Sequence, residues 1–406
     1  MPNWNTFTAA PHRMMMFAGS LQLVLTMSFW LAELLARYLN ILPGITPVIP
    51  ATWAHGYLML FGLFPYFIFG FLMTTYPRWM NGPLVERSRY VASFLCMTTG
   101  SVTVYAGLFT HTTVLATGAL LHAFGWFIGI SELYRVFRAA PGPEKSHERY
   151  LNLYLLLGGI GMLSFVLGTG LDRPGLIQTA LTLGWWGFLL PLLVTVAHRM
   201  LPFFSSMVIK PYTVVQPAWM LPALPLLIAG HVACETLNIW QWRFLFDAPL
   251  AGIGLYLSFR WGFRRSFQVR LLAILHMAFV WFGIGMTLYT LDSLLLLFST
   301  DVSLGRAPLH ALGIGLVAGM TLAMASRVSL GHSGRPLVAD RRVWLCCWGL
   351  HITALLRVVN DLPIGQTLFG LPTPLWAALL WLVTVFAWSW RFAPIYLRPR
   401  VDGNPG

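Results

Sequence analysis

An all-α polytopic integral membrane bundle of about twelve transmembrane helices, with both termini cytoplasmic, is the fold that this 406-residue sequence predicts. Three observations carry that prediction. Hydrophobic residues make up 57% of the chain and charged residues 10%, with a mean hydropathy of +0.69, which leaves too little polar surface to cover a water-soluble core. Uncharged runs longer than about 18 residues recur, the length a helix needs to cross hydrocarbon, where barrel strands would show short alternating segments. Finally, lysines and arginines collect on alternate connections.

In chain order the spans are expected near residues 14–36, 53–76, 90–109, 112–134, 150–169, 176–198, 217–237, 245–261, 271–297, 308–326, 343–360 and 373–391. The first is too long for a removed signal peptide and lacks a small-residue cleavage site, so it stays as a span. The third and fourth meet at a tight corner around Thr110 and His111. Pro65 and Pro191 interrupt the second and sixth, where proline kinks a helix and frees backbone carbonyls. No long linker or soluble domain is present, so residues 1–406 read as a single transmembrane domain. The two halves show no self-similarity of the kind many transporters carry.

Placing the N-terminus, the even-numbered connections and the C-terminus on one side collects 21 of the 26 lysines and arginines there, against four on the other side. That asymmetry puts both termini in the cytoplasm and accounts for the net charge of +13. The arginines are spread over short loops and not over one basic domain, so nucleic acid is excluded as a partner; the lipid bilayer is the expected one. Cys96, Cys234, Cys346 and Cys347 lack the CxxC spacing of a thiolate metal site and read as small buried residues. Trp185, Trp186, Trp388 and Trp390 read as interfacial belt residues.

The most informative stretch is Arg306 to Leu337. His310 and His332 bracket its span, and 22 helical steps separate them by up to ~33 Å, so they serve opposite faces. Ala311, Gly315, Gly319 and Ala323 form a small-residue stripe that lets a neighbouring helix approach closely. Beyond the span, Arg327 and the Gly331 to Pro336 turn with His332 and Arg335 have the shape and charge to hold a carboxylate or phosphate; a loop that merely fixes topology would look similar.

The run HALGIGLVAGMTLAMASRVSLGHSGRPL in this stretch resembles the signature of the NnrS family. Pro11-His12-Arg13, the FGFLMTTYPRW run from Phe69 to Trp79, Arg199 to Phe204, and Leu275-His276 with Trp281 extend the likeness over most of the chain. The resemblance implies a bacterial inner-membrane protein that binds haem, as haem b, and copper, and that is linked to nitric oxide stress. The chain departs from the family pattern in three places. One histidine, His55, opens the second span where relatives often have His-x-His; the fifth span has no histidine; and His198-Arg199 replaces two arginines.

Histidine is the common nitrogen ligand of haem iron and copper, and ionisable groups at membrane depth tend to mark function. By topology His55 and His310 share the periplasmic layer, with His231 and His111 also towards that face, while His12, His198, His276 and His332 lie towards the cytoplasm. With the resemblance, His12, His55, His276, His310 and His332 become candidate cofactor residues, with His55, His276 and His310 as metal ligands. His276 would be the cytoplasmic counterpart of the outer pair, with His12 and His332 as partners. Arg327, Arg335 and Arg357 are candidates for an anionic cofactor group; Arg357 could instead pair with Asp361 one turn on. His122 and His351 read as structural, and His147 as a loop residue. Glu33, Glu132, Glu235 and Asp292 are expected to face partners inside the protein.

Three functions of different classes fit these residues: a haem- and copper-binding protein that protects against nitric oxide; a transporter whose histidines relay protons; and an enzyme like the haem-copper nitric oxide reductases. The absence of an adjacent His-His pair from every span weighs against the last.

Overall fold

In the computed structural model, which describes residues 4–41, 46–298, 303–362 and 365–403, twelve helices of 17 residues or more are present. They are α1 (Pro11–Leu39), α2 (Ala51–Trp79), α3 (Arg87–Leu108), α4 (Thr112–Ala139), α5 (Ser146–Gly170), α6 (Pro174–Val208), α7 (Met220–Thr236), α8 (Phe244–Arg260), α9 (Arg270–Phe298), α10 (Ala307–His332), α11 (Arg341–Asn360) and α12 (Thr373–Leu397). Each answers to one expected span. All but α7 and α8 are long and apolar enough to cross a membrane, so the protein is a multi-pass, all-α membrane protein. Helices α7 and α8 have 17 residues each, about 25 Å of rise, at the lower limit for spanning. Strand among the described residues is confined to the two-residue pair Thr367–Leu368 and Leu371–Pro372.

The tight corner between α3 and α4 is made by His111, whose Nδ1 accepts from the Thr113 backbone N–H at 3.1 Å and so caps the first turn of α4. The two helices pack backbone to backbone: a Cβ on Gly107 would stand 2.3 Å from the Leu115 nitrogen, and one on Gly100 would stand 2.4 Å from the His122 nitrogen. Close approach through glycine is the usual means of association where lipid removes the hydrophobic drive between helices.

The interrupting prolines do not bend their helices into separate pieces. Instead α2 and α6 each widen into a π-helical segment, Leu58–Leu63 and Leu183–Leu189, with Pro65 and Pro191 two residues beyond. Proline has no N–H to return to the preceding turn, and one wide turn absorbs the lost bond. A third segment, Ala311–Ala318, opens α10 through Gly313 and Gly315, and the three begin at near-equal intervals in the second, sixth and tenth helices. Of the expected belt tryptophans, Trp390 is exposed, but Trp185, Trp186 and Trp388 are buried. The first two lie inside a π segment, and Trp388 packs on Phe67 and Phe392.

The chain forms two compact units. The first is Met1–Leu192 with Val328–Pro336 and Trp388–Gly406, and the second is Leu193–Arg327 with Leu337–Ala387. In the second unit α9 lies against the small-residue stripe of α10, and a Cβ on Gly315 would stand 2.3 Å from the Trp281 ring.

Candidate functional site

In the first unit two of the candidate histidines come together. Pro11 occupies the first position of α1, where its missing N–H costs nothing, and this fixes His12 in the opening turn. His12 is buried, with Nδ1 3.4 Å from the Thr74 hydroxyl, which itself donates to the Gly70 carbonyl at 2.8 Å. His332 is the last residue of α10, and its ring lies 4.8 Å from that of His12, centroid to centroid, tilted by 41°. Beyond it Gly334 turns the chain at φ +71°, a conformation that favours glycine. The C-terminal tail closes on this turn, the Val401 amide donating to the Ser333 carbonyl at 3.1 Å.

The charge around the pair is one-sided. Arg13, almost wholly buried, donates through Nη2 to the Arg398 carbonyl, while its Nε has no acceptor among the described residues. Arg335 Nη1 is buried and likewise without an acceptor there. Burial, and after it the charges of Arg391 and Arg398, pushes the Arg335 pKa below the ordinary arginine value. Asp402 is held by Arg400 Nε at 2.9 Å. Buried guanidinium donors left open are costly, and a carboxylate or phosphate is the group that satisfies them best.

The other candidates have separate surroundings. His55, in the first unit, stacks on Trp30 at 4.2 Å and 17°, and Arg37 lies 5.6 Å over the same Trp30 ring while pairing with Glu33 at 2.6 Å. In the second unit His310 Nδ1 lies 2.9 Å from the Arg306 carbonyl, which can only accept, so the ring proton is on Nδ1 and the lone pair on Nε2. Arg357 Nη2 stands 3.3 Å from that Nε2. His276 is buried with Nε2 2.9 Å from the Ser205 hydroxyl. Arg327 stands 3.9 Å over the Phe204 ring, a cation–π contact.

The family model described as NnrS protein matches residues 6–400. The chain belongs to the NnrS family. Comparison with curated proteins gives no match.

In this NnrS-family chain, among the described residues, no three or more His, Cys, Asp or Glu side chains are grouped to hold a metal ion. The His12–His332 pair is the arrangement available for shared ligation. His351 and His122, which the sequence suggested are structural, both have protein partners. His351 accepts from Trp281 Nε1 at 3.0 Å and has Cys347 Sγ 3.4 Å from its other nitrogen. His122 joins Ser101 at 3.1 Å, which continues to the Tyr66 hydroxyl at 2.9 Å. His147 is not a loop residue: it is the second residue of α5 and is buried. The four cysteines are unpaired by disulfide, and three of them are buried.

Proposed function

We propose that this chain is a haem-binding protein of the bacterial inner membrane, with both termini cytoplasmic, acting in the response to nitric oxide. The carrying observation is the His12–His332 pair beside Arg13 and Arg335, each with one buried guanidinium nitrogen, Nε and Nη1 respectively, that has no acceptor among the described residues. This donor set matches haem b in kind: imidazole for the iron and guanidinium for the propionates. A haem bound there would supply iron able to bind nitric oxide. The residues' part is to bind and orient. His12 or His332 would hold the iron, Arg13 and Arg335 would hold the carboxylates, and Thr74 Oγ1 steers the His12 ring through Nδ1. His55, His276 and His310 are further candidate ligands, and Arg357 and Arg327 further candidate partners of a cofactor carboxylate.

A second reading, copper held by His12 and His332 together, is favoured by the 4.8 Å ring separation. Visible spectra and metal analysis of detergent-purified protein decide between them. A Soret band that shifts with nitric oxide, and is lost in His12→Ala, supports haem at this end. Copper lost in both single variants with the Soret band unchanged supports the second reading. Protein free of haem and copper, from cells supplied with both, overturns both and leaves a transporter.

A further inference from the structure

The most complete buried polar cluster outside that site lies in the second unit, where α7, α8 and α9 meet. His231 of α7 and Asp247 in the first turn of α8 have no exposed side-chain surface, and His231 Nδ1 lies 2.6 Å from Asp247 Oδ1. On the other edge of the ring Nε2 is 3.3 Å from Glu235 Oε1, one turn further along α7. Glu235 also receives Arg243 Nη1 at 2.9 Å, and Arg243 Nη2 reaches Asp292 Oδ2 of α9 at 2.7 Å. The other Asp292 oxygen accepts from the Ser303 hydroxyl at 3.0 Å and the Leu304 amide at 2.6 Å. Tyr289 of α9 stands edge-on to the His231 ring at 5.0 Å, with Arg243 5.5 Å over its face, and Cys234 is the remaining titratable neighbour.

Two features of the cluster are unfinished. The cluster holds three carboxylates, of Glu235, Asp247 and Asp292, and one guanidinium, so with His231 neutral two negative charges are left over in a largely buried place. In addition Asp247 Oδ2, fully enclosed, accepts no hydrogen bond among the described residues. Arg243 bridges Glu235 and Asp292 as a fixed frame, its Nε being the one guanidinium nitrogen without an acceptor among the described residues. The imidazole–carboxylate pair is the part left to change charge. Glu235, the penultimate residue of α7, is 34% exposed where His231 and Asp247 are sealed, so it is the member that meets the surroundings.

We infer that His231 and Asp247 form a proton-binding site that fills and empties through Glu235. The Nδ1 proton is donated to Asp247 and the Nε2 lone pair faces Glu235. A proton from water adds to a Glu235 oxygen, passes to Nε2, and leaves an imidazolium held between the Asp247 and Glu235 carboxylates; release runs in reverse, with no electron transferred. Asp247 Oδ2 ends the path, which makes the site a store and not a through-channel.

The test is 15N NMR of the full-length protein in lipid with labelled histidine, the His231 signals being assigned by their loss in His231→Gln. At about pH 7 both His231 nitrogens are expected to carry protons. Asp247→Asn should shift His231 towards a single neutral tautomer. Glu235→Gln, which removes the door and not the site, should keep the imidazolium but slow its exchange with deuterated water. A neutral His231 in the folded wild-type protein at that pH overturns the inference. So does an imidazolium insensitive to Asp247→Asn, or exchange that Glu235→Gln leaves unchanged.

Discussion

His12 and His332, separated by nearly the whole chain, bring their imidazole rings to 4.8 Å in the first unit. Two residues acting on one bound group are not independent, so their substitutions should not add. For haem, the single variant that removes its holding ring, His12→Ala or His332→Ala, is expected to lose the cofactor; for copper held by both rings, either single variant is; and in both cases the double variant should remove no more. Cofactor per protein, measured by absorbance and metal content, checks this. Full retention in one single variant would exclude that ring as a ligand.

Arg335 gives a prediction of opposite sign for the empty and loaded protein. Burial and the neighbouring Arg391 and Arg398 charges disfavour its charged form, holding its pKa below the ordinary value. Arg335→Gln should therefore raise the melting temperature of protein prepared without cofactor, because a strained charge is gone. The same substitution should shrink the rise in melting temperature on loading, because a donor to the bound anion is gone. Thermal unfolding of both preparations separates the two effects.

Arg243 and Asp292 are a buried pair at 2.7 Å, and removing one partner strands the other. Arg243→Met is expected to cost about 3–5 kcal/mol, while Arg243→Met with Asp292→Leu should recover much of that loss. Denaturation midpoints of the single and double variants would show it. Equal losses in both would mean that Asp292 is held chiefly by Ser303 and Leu304.

Glu144 lies at the entry to α5, outside the spans, where its Oε1 accepts from the Ser146 amide at 2.7 Å. Hydrogen bonding to the Ser146 hydroxyl, and after it to this amide, holds the carboxyl below the usual glutamate range. A carboxylate with a depressed folded pKa stabilises above its unfolded pKa, and the contribution fades as pH falls through the folded value. Glu144→Gln should flatten the acid limb of the stability profile slightly, since the side chain is exposed. Melting temperature against pH is the measurement.

The fold was legible because each apolar run had to become a helix, the only open-ended element whose backbone is satisfied within lipid. Even the α3–α4 corner could be placed at Thr110 and His111. The π segments were not legible: Pro65 and Pro191 announced an interruption, but a wide turn and a kink both answer a missing N–H. Nor could spacing pair His12 with His332, because their meeting depends on how distant helices pack. Depth sorting could place His55 and His310 in one layer but could not name their contacts, Trp30 for one and the Arg306 carbonyl with Arg357 for the other. Asp247 went unremarked beside Glu235 and Asp292, although it is the most enclosed of the three. An acid in the first turn of a helix reads as an ordinary start, and only packing shows that its partner is His231.

Gly107 and Gly175 provide a matched pair for testing how α3 and α4 are held. The atoms that a Cβ on Gly107 would strike are backbone, the Leu115 nitrogen at 2.3 Å and its Cα at 2.4 Å, so no rotamer change relieves the clash. The helices would have to move apart, undoing the approach that also sets Gly100 against His122. Gly107→Val is therefore expected to cost at least the ~1–3 kcal/mol of an overpacked core, with lower yield of folded protein. A Cβ on Gly175, near the start of α6, meets nothing within 4 Å, so Gly175→Ala should be neutral or slightly stabilising. Thermal unfolding in one detergent compares them directly. If Gly107→Val unfolds like the wild-type protein, the α3–α4 backbone contact does not limit stability.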